Sequence, residues 1–265
     1  MGIKYVHKFS CDNDKDVEKT VRSNHTPEIY IQDIQTRDLD KVPAVDVYLA
    51  GFPCQPFSDM GKKEGFDDAK GRGEIFWYIL QYIREKLPTV FILENVKGLV
   101  KINKGKDLNK IIKLLKQVKG LDGRQAYSIQ HKVVDTKEHG IPHSRPRWYC
   151  IGILKNASEA ESFNFPGAIE CPVLETLLDQ DVHASKSHTN HPLQVSKTVQ
   201  KNIQSAKQRI LESGGNLDQP FVVDCDAATH KSHCSKNCSP CLTRSRNKGH
   251  WLIHKDRRMN INEML

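Results

Sequence analysis

Cysteine and glutamate are among the few side chains that can attack an electron-poor carbon and manage the accompanying proton. This sequence places one of each directly after an apolar run. The run at 45–50 (VDVYLA) leads into Gly51-Phe52-Pro53-Cys54-Gln55-Pro56-Phe57-Ser58, and the run at 89–93 (TVFIL) leads into Glu94-Asn95-Val96. Near-continuous apolar runs of this length mark strands covered on both faces. In an open α/β sheet, ligands bind outside the carboxyl ends of such strands. Cys54 and Glu94 therefore fall on one edge of the expected sheet, joined by a single strand–helix–strand crossover. Pro53 and Pro56 each fix φ near −65° and stiffen the turn that carries the thiol. Spacing alone leaves a buried structural thiol open for Cys54 and a helix-start carboxylate open for Glu94.

The elements that would position these groups alternate along the first half. Strand-like residues 4–9 end in the acidic cluster Asp12-Asn13-Asp14, and 15–22 reads as a short helix. Residues 74–86 carry Ile75, Phe76, Ile79, Leu80 and Ile83, an apolar helical stripe. A helix is expected at 108–118 and strands at 127–134 and 148–154. The fold class expected is α/β with a largely parallel sheet. Beyond about residue 155 the chain turns polar and holds most of the histidines. One helical segment stands out there, at 195–211, before the breaker Gly214-Gly215-Asn216. A smaller, irregular region is expected in that part.

Composition narrows the function classes. The 265 residues are enough for one large or two small domains with a real core. Hydrophobic residues at 38% make the chain too apolar to be disordered. No apolar run approaches the roughly 20 residues of a membrane span, and the N-terminus lacks the apolar core of a secretory signal. The eight cysteines read as thiols of an intracellular protein. A net charge of +8 permits a polyanionic partner without requiring one.

Three blocks then become recognisable. Gly51 to Ser58, continued through Gly61-Lys62, Gly65, Asp68 and Arg72-Gly73, resembles the catalytic loop of the cytosine-5 DNA methyltransferases. Glu94-Asn95-Val96-Lys97-Gly98-Leu99 resembles that family's second block. Gly140-Ile141-Pro142-His143-Ser144-Arg145-Pro146-Arg147 resembles its third, usually written Gln-x-Arg-x-Arg. All three occur in the family's order. The resemblance implies a Rossmann-like methyltransferase sheet, incomplete, at 1–154. A target-recognition region would follow at 155–245, and 246–265 would begin the returning catalytic segment.

It also implies DNA (cytosine-5-)-methyltransferase activity with S-adenosyl-L-methionine, on double-stranded DNA, by a monomer. Cys54 would add to carbon 6 of an everted cytosine, and Glu94 would hold N3 and the exocyclic amine. Arg145 and Arg147 would steady the pyrimidine carbonyl, Glu94 and nearby phosphate. Asp12 would bind the ribose hydroxyls of the cofactor and Asp33 its adenine amino group, with Gly51 and Pro53 lining the methionine end. Turn capping is the alternative for either aspartate.

The sequence departs from the family pattern in three places. No Phe-x-Gly-x-Gly loop precedes residue 4 and no closing segment follows residue 265. The expectation is a fragment with weak cofactor binding and poor stability. His143 stands where the family usually has Gln. His230, His233, Cys234, Cys238 and Cys241 leave a structural zinc open, although Ser239-Pro240-Cys241-Leu242-Thr243 resembles the family's exit from the recognition region, and no metal is assigned. Arg244, Arg246, Lys248, Lys255, Arg257 and Arg258 are expected to contact phosphate. Two rivals remain. A tRNA cytosine-5 methyltransferase would carry a Cys-Phe-Thr phrase after the glutamate block, absent here. A non-catalytic DNA-binding remnant would keep the pocket without turnover.

Overall fold

The computed structural model describes residues 4–53, 74–155, 157, 162–179 and 195–264. Two compact units emerge: Met1–Val134 with Arg147–Phe165, and Asp135–Pro146 with Pro166–Leu265. Cys54 and the rest of 54–73 lie outside the described residues.

The first unit is α/β. Its elements are β1 (Phe9–Cys11), α1 (Lys15–Asn24), β2 (Ile29–Ile31), β3 (Val47–Gly51), α2 (Ile75–Lys86), β4 (Val90–Val96), α3 (Lys106–Lys116), β5 (Tyr127–Val134) and β6 (Arg147–Leu154). Asp14 caps α1 by accepting from the amides of Asp16 and Val17, which ends β1 and turns the chain. Leu87 ends α2 in the left-handed conformation, at φ 45°. β1 and β2 form a parallel pair, and a second sheet runs β3-β4-β6-β5.

Three sequence expectations change here. The first strand lies at Phe9–Cys11, not at 4–9, because pairing with β2 extends only from Phe9↔Ile29 to Cys11↔Ile31. β2 was not anticipated at all; three residues carry too little pattern to show. The larger sheet is mixed, since β6 runs antiparallel to both β4 and β5. Between β5 and β6 lies a single 3-10 turn at Thr136–Glu138, too short for a crossover, so the chain returns directly and runs antiparallel.

The core lies between this sheet and α2 and α3. Phe76, Ile79, Leu80 and Ile83 of α2 and Leu108, Ile111 and Leu115 of α3 are buried against Phe91, Leu93, Tyr127 and Trp148. The helical stripe read at 75–83 is thus the buried one, apart from Ile75, which is only partly covered. Buried tyrosine hydroxyls are satisfied by proline carbonyls: Tyr82 donates to Pro43 O at 2.7 Å and Tyr127 to Pro88 O at 2.8 Å. Phe91 faces Gly152 across the β4–β6 ladder. A Cβ on Gly152 would lie inside the Phe91 ring, so the ring crosses β6 only because residue 152 has no side chain.

The second unit holds α4 (Lys197–Glu212) and a sheet of short antiparallel strands where an irregular region was expected. β7 (Phe221–Val223), β8 (Cys234–Lys236), β9 (Trp251–Leu252) and β10 (Arg257–Arg258) run in the order β10-β9-β7-β8. Strands of two or three residues leave no legible alternation, which is why composition alone suggested loops. Residues 246–264 are part of this unit, since β9 pairs with β7. Val199, Ile203, Ala206 and Ile210 of α4 pack on Val223, Cys225 and Ile253. A last short helix, α5 (Ile261–Met264), ends the described chain. No helix among the described residues is long and apolar enough to cross a membrane.

Gly152→Ala is expected to lower the stability of the first unit by about 1–3 kcal/mol, the usual cost of overpacking, and thermal unfolding will measure it. An unchanged unfolding temperature would show that Phe91 can leave its place at no cost.

Candidate active site

β4 buries Phe91, Leu93 and Asn95 on one register and leaves Glu94 on the other. Glu94 pairs with Gly51 of β3 on one side and with Tyr149 of β6 on the other. Gly51 adds no side chain, and a Cβ there would stand 3.5 Å from Glu94 Oε2. Arg147, the first residue of β6, reaches Glu94 with Nε at 3.0 Å from Oε1. The arginine side chain is 17% exposed and the glutamate 36%. A charged contact at that distance restrains the carboxylate's direction.

Asn95 performs a task the sequence did not reveal. It is 1% exposed. Its Nδ2 donates to the Phe52 carbonyl at 3.2 Å, and its Oδ1 accepts from the Val96 amide at 2.8 Å. Phe52 is itself buried, with its ring 5.7 Å from Phe76. The chain entering Pro53 is therefore fastened to β4 next to Glu94. One signal pointed to this: Asn95 continues the inward register of Phe91 and Leu93, and a buried amide must find partners.

Asp12 and Asp33 follow β1 and β2, whose parallel course brings their carboxyl ends to one edge. Asp12 Oδ1 accepts from the Asp14 amide at 2.9 Å and Asp33 Oδ1 from the Gln35 amide at 2.8 Å. Each carboxylate thus caps a turn with one oxygen. Both also bear on Cys11. Burial pushes the Cys11 thiol up to about 11, with Arg37 opposing and Asp33 and Asp12 adding to the rise. The two acids are therefore close enough together to influence one thiol.

Arg145 is separated from Arg147 by a single residue yet belongs to the second unit. Its amide donates to Asp135 Oδ1 at 2.7 Å, and its Nη1 contacts Cys241 Sγ at 3.5 Å. Asp135 is 8% exposed and also accepts from Ser144 Oγ at 3.2 Å. Asp135, like Asn95, was not singled out by the sequence.

Most of the basic residues assigned to phosphate are otherwise engaged. Arg258 bonds Asp226 with both Nη atoms, at 2.7 and 2.9 Å, and Arg257 bonds Glu263 at 2.7 and 2.6 Å. Arg246 pairs with Asp224, and Lys255 with Glu175 at 2.6 Å. Burial works against ionising Asp226, and the Arg258 bonds outweigh it, so the carboxyl is held below its usual range. These cations hold the second unit together. Among the described residues, no three His, Cys, Asp or Glu side chains are gathered to hold a metal.

A family model described as C-5 cytosine-specific DNA methylase matches residues 1–264. The chain belongs to that family. The Type II methyltransferase M.NlaX of Neisseria lactamica is 37% identical over 161 residues, covering 61% of this chain and 48% of the relative. M.NgoBI of Neisseria gonorrhoeae is 34% identical over 181 residues, covering 68% and 53%. The chain spans about half the length of the curated relatives it matches. Among solved structures, the Entamoeba histolytica methyltransferase EhMeth aligns with a TM-score of 0.47 at 17% identity, over 66% of this chain and 52% of that one. A DNMT2 variant from Spodoptera frugiperda aligns with a TM-score of 0.46 at 23% identity, over 66% and 52%.

Two outcomes test this architecture. Asn95→Ala leaves the Phe52 carbonyl without its donor; stability should fall by about 1–3 kcal/mol, and denaturant unfolding reads it. Arg258→Ala leaves Asp226 unpaired and should destabilise the second unit by about 2–4 kcal/mol. Denaturant unfolding reads this as well, and an unchanged midpoint would mean that the Arg258–Asp226 pair does not brace the unit.

Proposed function

We propose that this chain carries the catalytic machinery of a DNA (cytosine-5-)-methyltransferase, with Cys54 as nucleophile. The observation that supports it best is Glu94, held by Arg147 beside a side-chain-free Gly51, next to the anchored entry to Pro53. Carbon 5 of cytosine becomes nucleophilic only after the ring is activated. In this reading the Cys54 thiolate adds to carbon 6, and the electron pair of the 5,6 double bond becomes available at carbon 5. Glu94 hydrogen-bonds N3 and the exocyclic amine as charge builds on the ring. Arg147 keeps the Glu94 carboxylate aimed, and Arg145 steadies the pyrimidine carbonyl. Once carbon 5 holds the transferred methyl group, its proton passes to a water molecule, the freed C–H pair re-forms the 5,6 double bond, and the C6–S pair departs with Cys54 as thiolate.

The donor set suits S-adenosyl-L-methionine. Asp12 offers carboxylate oxygens to ribose hydroxyls and Asp33 to the adenine amine, both from the carboxyl edge of a parallel pair. Gly51 and Pro53 would line the methionine end. The cofactor would supply an electrophilic methyl group for carbon 5. The target base is unreachable inside a duplex, so it would be bound everted. Double-stranded DNA is the proposed partner, and the absent Cys-Phe-Thr phrase sets tRNA second.

The deciding experiment incubates the protein with S-adenosyl-L-methionine and a duplex containing 5-fluorocytosine. A denaturation-resistant adduct is expected with the native chain, with none from Cys54→Ser and about 100-fold slower trapping from Glu94→Gln. Absence of any adduct would favour the non-catalytic remnant. Methyl transfer to bulk tRNA in preference to duplex DNA would reverse the substrate assignment.

A further inference from the structure

His143 interrupts the third block with an imidazole, and the structure shows what that ring holds. Residues 142–145 lie alongside 239–242 within the second unit, joined by a parallel bridge between His143 and Ser239. The Ser239 amide donates to Pro142 O at 2.8 Å, and the Ser144 amide donates to Ser239 O at 2.8 Å. The Leu242 amide donates to His143 Nε2 at 3.3 Å. That bond requires Nε2 without its proton, which sets the tautomer of the neutral ring. On the other side, Thr136 Oγ1 donates to the His143 carbonyl, and Asp135 receives the amide of Arg145. The Arg145 guanidinium then rests on Cys241 Sγ.

We infer that His143 is a positioning residue for Arg145, acting through the cradle Ser239–Pro240–Cys241–Leu242. The inference rests on the reading of Arg145 as part of the reacting apparatus. Backbone bonds fix the path of the loop on both strands of the bridge. Two side-chain contacts then bear on where the guanidinium points: the His143 ring, which secures Leu242, and Cys241 Sγ, which receives Arg145. Arg145 is exposed, so its long side chain has little packing of its own to restrain it. Loss of the acceptor at 143 frees the Leu242 amide and with it the Cys241 seat. A glutamine at 143 offers a side-chain oxygen at similar reach and preserves the arrangement. The requirement at this position is for an acceptor, not for an imidazole.

The test compares His143→Ala and His143→Gln with the native chain in two ways. The first measures kcat and KM for duplex DNA. The second measures amide hydrogen exchange across 141–146 and 239–243, which needs no turnover. His143→Ala should lower kcat about 10-fold or more, leave KM for DNA within about twofold, and speed exchange in both segments. His143→Gln should restore kcat and protection together. Cys241→Ala and Cys241→Ser provide a second pair should His143→Ala fail to fold. The alanine should lower kcat, and the serine, which keeps an acceptor, should recover it.

Unchanged exchange in His143→Ala, or an equal loss in His143→Gln, would overturn the inference. Arg145→Ala separates the two levels. If it loses activity while His143→Ala does not, the positioning role fails and the Arg145 reading stands. If Arg145→Ala keeps full activity, the reading of Arg145 itself fails.

Discussion

The pairing of β4 on both of its edges is the constraint on which the first unit depends. Its ladder with β6 runs from Val90↔Ile153 to Val96↔Arg147, and its ladder with β3 ends at Gly51↔Glu94. A one-residue slip would bury Glu94 and expose Phe91, Leu93 and Asn95. Phe91 over Gly152 guards against that slip, because no other residue of β6 could accept the ring there. Register in turn decides chemistry. It sets Glu94 against a residue without a side chain, places Arg147 at the start of the next strand, and directs Asn95 inward to hold Phe52. The Glu94–Arg147 pair is partly solvated, and such pairs contribute only about 0–1 kcal/mol to stability. Its value lies in aiming a carboxylate, not in holding the fold.

The positive charge of the chain has a similar lesson. A run such as TRSRNKGHWLIHKDRR invites a phosphate reading because arginine and lysine are what bind phosphate. Local sequence does not show that Asp226, Asp224, Glu263 and Glu175 reach the same cations from elsewhere in the unit. The sheet they brace has strands of only two or three residues and could not stand on backbone pairing alone. Bidentate pairs at low exposure supply the order that short strands lack. A net charge of +8 therefore overstates the cations available to a polyanion.

Much of the first unit was legible because 45–50 and 89–93 are apolar runs long enough to read and 127–134 is strand-like over eight residues. The structure places strands at Val47–Gly51, Val90–Val96 and Tyr127–Val134. Helix 74–86 showed itself through a stripe that the structure buries almost entirely. β1 was read a few residues early and β2 escaped, because each contains only three residues. The antiparallel course of β6 escaped because direction is set by the connection, and a return without a helix looks like any loop. Glu94 and Arg147 were legible as blocks, and their contact was implied by the family resemblance, not by the residues themselves, whose numbers differ by 53. Asn95 and Asp135 were hidden for a different reason. Each acts through backbone groups of other segments, and no residue-type pattern announces a partner that is a carbonyl or an amide.

The division of the third block between the two units gives it a physical meaning beyond its spelling. Arg147 begins a strand of the sheet and is tied to Glu94. Arg145, one proline away, is tied to Asp135 and Cys241. Pro146 stands between them, with no amide hydrogen to join either ladder and its φ fixed. Two guanidinium groups of one short motif thus answer to different neighbours. Changes in the sheet act first on Arg147, and changes in the segment 239–242 act first on Arg145. A segment such as 239–242 can change its side chains and still hold the loop that carries Arg145 only if the holding groups are common to every residue. The backbone bonds between 142–144 and 239 meet this condition in a form that tolerates variation, because an amide and a carbonyl are present whatever side chain stands there.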